Sequence, residues 1–302
     1  MEIPQMSFAG SVDMQHIRDF VVRAEHLGYD SLWLQERILS DFAMLEPVTL
    51  LSYVAALTQR IDLGVSVVLL TLRNPFQLAK SFAALDCMSG GRAILGVGLG
   101  GGHLGSHEEI LGYSKEKRVR RFSEALAIMK LLWTEPKASF RGNFWSFDDV
   151  AMEPKPVRKP HLPLWFGGHH ENALRRAVKH GDGWMGAGSS PSSAFFHELA
   201  VIRRCLDEAK RDPAGFGIAK RVYLAVDKDS RRAERRIREW FARRYKNAEL
   251  GPRVCIWGSA GECTENIQAI VRAGARRIVF NPMFDEMEHL EICAQEIMPH
   301  LR

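Results

Sequence analysis

The chain has little of what marks several large protein classes. Five cysteines stand among 302 residues, at Cys87, Cys205, Cys255, Cys263 and Cys293; the number is odd, the spacing is wide, and no C-x-x-C pair occurs. That argues against both a disulfide framework and a zinc cluster. No window approaches 18 consecutive apolar residues, so no membrane span is indicated. The N-terminus lacks the charged, apolar and small-residue succession of a signal peptide, which makes the cytoplasm the expected location. There is no acidic excess either: 41 Lys+Arg against 36 Asp+Glu give a net charge of +5. The basic residues concentrate in 115–121, 203–211 and 231–246. The last two runs carry Asp207, Glu208, Glu234 and Glu239 at helical spacing, which describes solvated helix faces rather than a nucleic-acid surface.

What is present is a repeated joint. Ala24-Glu25-His26-Leu27-Gly28 leads into Ser31-Leu32-Trp33-Leu34, Ala177-Val178-Lys179-His180-Gly181 into Gly183-Trp184-Met185, and Ala273-Gly274-Ala275 into Arg277-Ile278-Val279-Phe280. A glycine just past a helix accepts the left-handed conformation that closes the last turn, so each reads as a helix-to-strand joint. Helices are expected over 13–27, 47–58, 75–88, 118–134, 192–211, 230–245 and 264–273, with another from about 171. Strands are expected over 31–35, 61–68, 92–97, 163–168, 183–185, 222–226 and 277–280. A first strand over 1–8 has Pro4 against it. Eight strands, each with a following helix, predict a single α/β domain over 1–302, a (β/α)8 TIM barrel with insertions after strands four and five. The first insertion holds the glycine-rich stretch 98–117 and a small hairpin around Arg141-Gly142-Asn143.

Three glycine loops follow strands, where such a barrel keeps its chemistry. Gly96-Val97-Gly98-Leu99-Gly100-Gly101 matches G-x-G-x-x-G by letter. No helix opens at its third glycine, so a dinucleotide fingerprint is not the reading. A strand running into bare backbone that approaches a flat ring or a phosphate is, with a ligand-free lid as the alternative. Phe166-Gly167-Gly168-His169-His170 precedes a helix whose terminal amides suit an anion. Gly186-Ala187-Gly188-Ser189-Ser190 is the third. In a barrel the three converge, and together they predict a phosphate-bearing cofactor. His169-His170 and His103/His107 lack the partners for a metal site, and none is expected.

Taken together these segments resemble the bacterial luciferase-like family of flavin- and deazaflavin-dependent oxidoreductases. The likeness rests on residues 28–34, Leu72-Arg73-Asn74-Pro75, Ser89-Gly90-Gly91-Arg92 into Gly96-Val97-Gly98, Met152-Glu153-Pro154-Lys155-Pro156, 163–168, 177–184 and the joint ending Ala273-Gly274-Ala275. The resemblance implies reduced FMN, or the deazaflavin F420, held by Gly98, Gly100, Gly101, Gly167, Gly168, His169, Gly186, Gly188 and Ser189, with a non-prolyl cis peptide at Ser66–Val67 against the ring. Where many members carry an acid followed by histidine, this chain has Glu36-Arg37. Arginine stays protonated and is no general base; it suits a substrate carboxylate, a cofactor phosphate or a flavin anion. The alternative for Glu36 and Arg37 is a bracing ion pair. Gly100-Gly101-Gly102 stands where sugar-oxidising deazaflavin relatives place a glutamate, which speaks against their alcohol mechanism. The expectation is a monooxygenase using reduced FMN and O2 on a small organic substrate. F420-linked hydride transfer is the alternative, and a non-catalytic flavin-binding barrel the alternative of another class. A homodimer and a flavin or F420 reductase as partner follow from the resemblance alone.

Overall fold

Nearly every apolar run between amphipathic segments becomes a strand. The computed structural model describes residues 1–100, 110–111 and 117–301. Numbered along the chain, the strands are β1 (Met6–Ser7), β2 (Ser31–Leu34), β3 (Ala43–Met44), β4 (Asp62–Leu69), β5 (Ala93–Gly98) and β6 (Ala138–Arg141). They continue with β7 (Ser146–Val150), β8 (Leu164–Gly167), β9 (Gly183–Gly186), β10 (Gly217–Val226), β11 (Ile256–Gly258) and β12 (Arg277–Pro282). The chain forms two compact units, one of Met1–Pro4, Gln15–Trp33 and Trp165–Arg302, the other of Gln5–Met14 and Leu34–Leu164.

In the first unit all strand pairs are parallel. β9 pairs with β8, and β10 pairs with β9, β12 and, at its end, β11. The N-terminal residues join this sheet: the amide of Glu2 donates to Phe280 O at 2.8 Å and that of Ile3 to Trp33 O at 2.9 Å. Pro4 ends the pairing, as a residue with no N–H must. The expected strand over 1–8 is therefore two pieces, since Met6–Ser7 pairs antiparallel with Ala43–Met44 in the other unit. Helices Met14–His26, Glu171–His180, Ser192–Glu208, Ser230–Tyr245 and Ala260–Ala273 alternate with the strands. The stretch 250–264, outside the helices and strands read from the sequence apart from its last residue, holds the short helix Leu250–Val254, β11 and the start of Ala260–Ala273. That start carries a full capping box, with Ser259 accepting from the Glu262 amide and Glu262 accepting from the Ser259 amide, a device worth about 1 kcal/mol.

In the second unit β4 and β5 run parallel, flanked by helices Pro47–Leu57, Pro75–Met88 and Arg118–Thr134. Proline opens the first two, with Glu46 and Asn74 accepting from first-turn amides. The hairpin β6–β7 follows β5 and its helix, and Glu124 fixes it by accepting from the amides of Asn143 and Phe144, both at 2.9 Å. After β8 the chain enters helix Glu171–His180 directly and then β9. The insertion expected after the fifth barrel strand is thus no separate element.

The three joint glycines differ. Gly28 (φ 81°) and Gly274 (φ 121°) take the positive φ that favours glycine. Gly181 is extended (φ −106°) and is small for another reason: a Cβ there would lie 2.5 Å from the Phe166 ring. Trp33 and Trp184 are fully buried; Trp165 lies 6.0 Å from Trp33, and the Arg277 guanidinium sits near both rings. These tryptophans are core. Among the described residues the cysteines are all free, no cluster of metal ligands occurs, and no helix is long and apolar enough to cross a membrane.

Candidate functional site

In the second unit the candidates lie at the ends of β2, β4 and β5. The Ser66–Val67 peptide is cis, and the pairing of β4 with β5 shifts register between Val65 and Val68. Opposite the shift stand the glycines of the G-x-G pattern. A Cβ on Gly96 would collide with the Val65 carbonyl, and one on Gly98 would lie 2.6 Å from Val67 Cγ2. The first two glycines are therefore required by the neighbouring strand itself, independently of any ligand. Val67 stays half-buried where its neighbours are buried. Gly100 has φ 84°; Gly101 lies outside the described residues.

Glu36 and Arg37 do not pair with each other. The Glu36 side chain is 1% exposed and accepts from the Leu69 amide at 2.6 Å and from Arg73 Nε at 2.8 Å. Arg73 reaches on to Glu46 at 2.8 Å, and Glu46 caps the next helix through the Thr49 amide at 2.7 Å. Burial pushes the Glu36 carboxyl above the usual carboxylate range, with Arg73 and the Leu69 amide working against it. The brace expected for Glu36 exists, but its partner is Arg73, 37 residues along the chain, and not the adjacent Arg37. Arg37 lies with its guanidinium carbon 5.3 Å from the centre of the Phe42 ring.

In the first unit the two remaining loops behave differently. Gly168 has φ 129°, and its carbonyl accepts from Trp184 Nε1 at 2.9 Å. The helix that follows Gly167, Gly168 and His169 already satisfies its own first turn: the Asn172 amide donates to His170 Nδ1, and the Ala173 amide to His170 O at 2.7 Å. Glu171 adds a carboxylate there, paired with Arg175 and Arg204. His169 is exposed. This terminus offers an anion less than its sequence suggests.

The loop Gly186-Ala187-Gly188-Ser189-Ser190 is the opposite case. Among the described residues, neither the Gly188 nor the Ser189 amide finds an acceptor. Two adjacent residues of β10, whose side chains point to opposite faces of the sheet, hold the loop. Lys220, 2% exposed, donates from Nζ to the Ala187 carbonyl and to Ser190 O at 2.8 Å. Arg221 lies on the other side, where a Cβ on Gly188 would meet its Nε at 3.1 Å and the Tyr223 ring at 3.2 Å. The two free amides beside a guanidinium, in a cradle that any side chain at 188 would fill, fit a phosphate. Arg221 also stands 3.8 Å from Glu2. Glu198, from helix Ser192–Glu208, faces Lys220: burial pushes its carboxyl up to about 7 against the pull of the lysine. Burial in turn lowers Lys220 to about 8, opposed by Glu198.

Sequence reasoning missed Arg73, Glu198, Lys220 and Arg221. Lys220-Arg221 left β10 read as only 222–226, because two consecutive charges argue against a buried strand. The alternation of Ile218, Lys220 and Val222 with Ala219, Arg221 and Tyr223 was the one available signal.

The profile of the luciferase-like monooxygenase family matches residues 1–253. Among curated proteins the chain is 26% identical over 314 residues to the F420-dependent glucose-6-phosphate dehydrogenase of Kineococcus radiotolerans, covering 95% of this chain and 93% of that one. It is 28% identical over 315 residues to the enzyme of the same name from Beutenbergia cavernae, covering 94% and 92%. Among solved structures it resembles a monooxygenase from Streptomyces bottropensis (TM-score 0.84, 22% identity, 100% and 99% covered). It also resembles an F420-dependent secondary alcohol dehydrogenase (TM-score 0.83, 20% identity, 95% of each chain). At these identities the structural likeness establishes a shared α/β fold.

Proposed function

We propose that this chain, which belongs to the luciferase-like monooxygenase family, is an F420-dependent oxidoreductase that passes hydride between the deazaflavin and a small organic substrate. The observation that carries the choice of cofactor is the likeness, along more than nine tenths of both chains, to relatives named F420-dependent. Reduced FMN with oxygen, the preference drawn from the sequence, has the monooxygenase name of the family and likenesses of fold behind it, but neither curated relative described above.

Bound F420 supplies the hydride chemistry, and the protein supplies binding, orientation and electrostatics. In the second unit Ser66, Val67 and Gly98 offer backbone and a half-buried valine to a flat ring, and Gly100 follows that strand end; Gly101 lies outside the described residues. In the first unit Gly188 and Ser189, following Gly186 at the end of β9, offer amides and the Arg221 charge to a phosphate, and Gly167, Gly168 and His169 take a lesser share. Glu36 is assigned a bracing role and Arg37 the orientation of an anionic substrate group. The sugar substrate of the named relatives is not carried over. Glu36 has its oxygens engaged by Leu69 and Arg73, and Arg37 stays protonated, so neither is a general base for alcohol oxidation. A substrate that accepts hydride fits such residues better. The hairpin β6–β7 and the stretch 98–117 are assigned to substrate selection, as insertions of the (β/α)8 pattern. A cytoplasmic homodimer served by a separate F420 reductase completes the reading.

A fluorescence titration with F420, run beside an anaerobic titration with reduced FMN, tests it. Micromolar binding of F420 alone supports hydride transfer. Tight binding of reduced FMN alone overturns it in favour of oxygen chemistry, and binding of neither sinks the cofactor reading altogether.

A further inference from the structure

We propose that Lys220 is the positioning residue of the loop Gly186–Ser190, holding its carbonyls from behind so that the Gly188 amide is presented to an anionic group on the Arg221 side. This rests on the reading of that loop as the phosphate-binding part of the cofactor site.

The argument is geometric. In a trans peptide the C=O and N–H of one unit point in opposite directions. The Ala187 carbonyl faces Lys220 Nζ, so the N–H of the same peptide, on Gly188, faces away from it. Ser190 O is held by the same ammonium at 2.8 Å, and the Ser190 amide closes a turn onto the Ala187 carbonyl at 3.3 Å. The loop is thereby pinned at both ends by one charged group. Its middle residues, Gly188 and Ser189, keep amides that no acceptor among the described residues engages. A Cβ on Gly188 would come within 3.1 Å of Arg221 Nε and 3.2 Å of the Tyr223 ring, so a side chain there would have to push one of them aside.

Lysine suits the task. A buried ammonium is costly unless its donors are satisfied, and two carbonyls of a single loop satisfy it only when that loop adopts this conformation. The long apolar stem reaches past Gly186, where a Cβ would come within 3.2 Å of Lys220 Cδ. Glu198, on the helix that follows the loop, favours the charged lysine electrostatically. Lys220 thus acts through the loop backbone and not by contact with the ligand.

The test compares wild type, Lys220→Arg, and the double variant Lys220→Met with Glu198→Gln, which removes both buried charges and keeps their volumes. Two quantities are read on the full chain: the dissociation constant for F420, and amide hydrogen exchange of the peptide spanning 186–191 without cofactor. The double variant is expected to stay folded by circular dichroism, to exchange faster in that peptide, and to bind F420 at least tenfold more weakly. Lys220→Arg, which keeps a charged donor, is expected to recover part of both. Unchanged affinity in the double variant overturns the proposal, whether or not exchange rises, and so does lost affinity with unchanged exchange. If wild type itself fails to bind F420, the cofactor reading falls. Exchange alone then decides on Lys220: a faster loop upholds its hold on the backbone, and an unchanged one ends it.

Discussion

The carbonyl oxygen of Val65 fills the space that a Cβ on Gly96 would need. This contact places the first glycine of the G-x-G pattern in the service of strand pairing. It separates what that motif does for the fold from what the loop beyond it does for a ligand.

Gly96→Ala is accordingly expected to destabilise by about 3 kcal/mol, the upper end of overpacking costs, because the obstacle is backbone and cannot rotate aside. Gly261→Ala is the comparison. It lies in helix Ala260–Ala273 with nothing within 4 Å of its Cβ position, and should raise stability by about 0.5–1 kcal/mol. Urea denaturation of the two variants checks the contrast; equal effects would sink it.

The Glu36–Arg73 pair is buried on the carboxylate side and tied to the Leu69 amide. Arg73 keeps Glu46 as a second partner, so Glu36→Gln loses one charge-assisted contact and is expected to cost about 2 kcal/mol. Arg37→Ala, on a half-buried arginine against Phe42, is expected to cost about 1 kcal/mol at most. Catalysis should show the reverse order: Arg37→Ala raises KM for an anionic substrate, and Glu36→Gln that remains folded does not. An unstable Arg37→Ala beside a stable Glu36→Gln would contradict the assignment.

The Glu198–Lys220 pair predicts a particular pH response. Glu198 has its folded value raised from 4.5 to about 7, so the folded chain holds more protons than the unfolded one between them, and stability falls as pH rises through that window. Lys220 has its folded value lowered from 10.5 to about 8. There the unfolded chain holds more protons, and stability rises as pH climbs from about 8 to 10.5. The pair therefore contributes least between about pH 7 and 8. Denaturation midpoints of wild type minus those of the double variant at these two positions should trace that minimum, and a featureless difference would refute it. Affinity for F420 should also decline above about pH 8 in wild type and stay flat in Lys220→Arg, because arginine keeps its charge.

Arg92 directs its guanidinium at backbone carbonyls. It is buried and donates to the carbonyls of Ala55, Thr58, Ile61 and Ser89 and to the Thr58 hydroxyl, at 2.7–3.0 Å. A lysine cannot reproduce that planar fork. Arg92→Lys should cost about 3 kcal/mol, read from thermal unfolding, while the F420 dissociation constant of the folded fraction is unchanged. A shift in that constant would place Arg92 in the site after all.

The sequence by itself determined the alternation of helices and strands, because amphipathic period, proline at first turns and glycine past last turns are local forces that act within a few residues. It placed the joints at Gly28 and Gly274, the capped helices after Glu46 and Asn74, and the Ser66–Val67 peptide through resemblance. It also pointed to all three glycine loops. Only the tertiary structure decided what those glycines are for. Gly96 and Gly98 yield to a strand about thirty residues earlier, Gly181 yields to Phe166, and Gly188 lies over Arg221. The same holds for the charges: Glu36 meets Arg73 and Lys220 meets the carbonyls of Ala187 and Ser190 across 30 to 37 residues of chain. A buried charge is tolerable only beside partners that folding brings to it, and no pattern of neighbours along the chain records who those partners are.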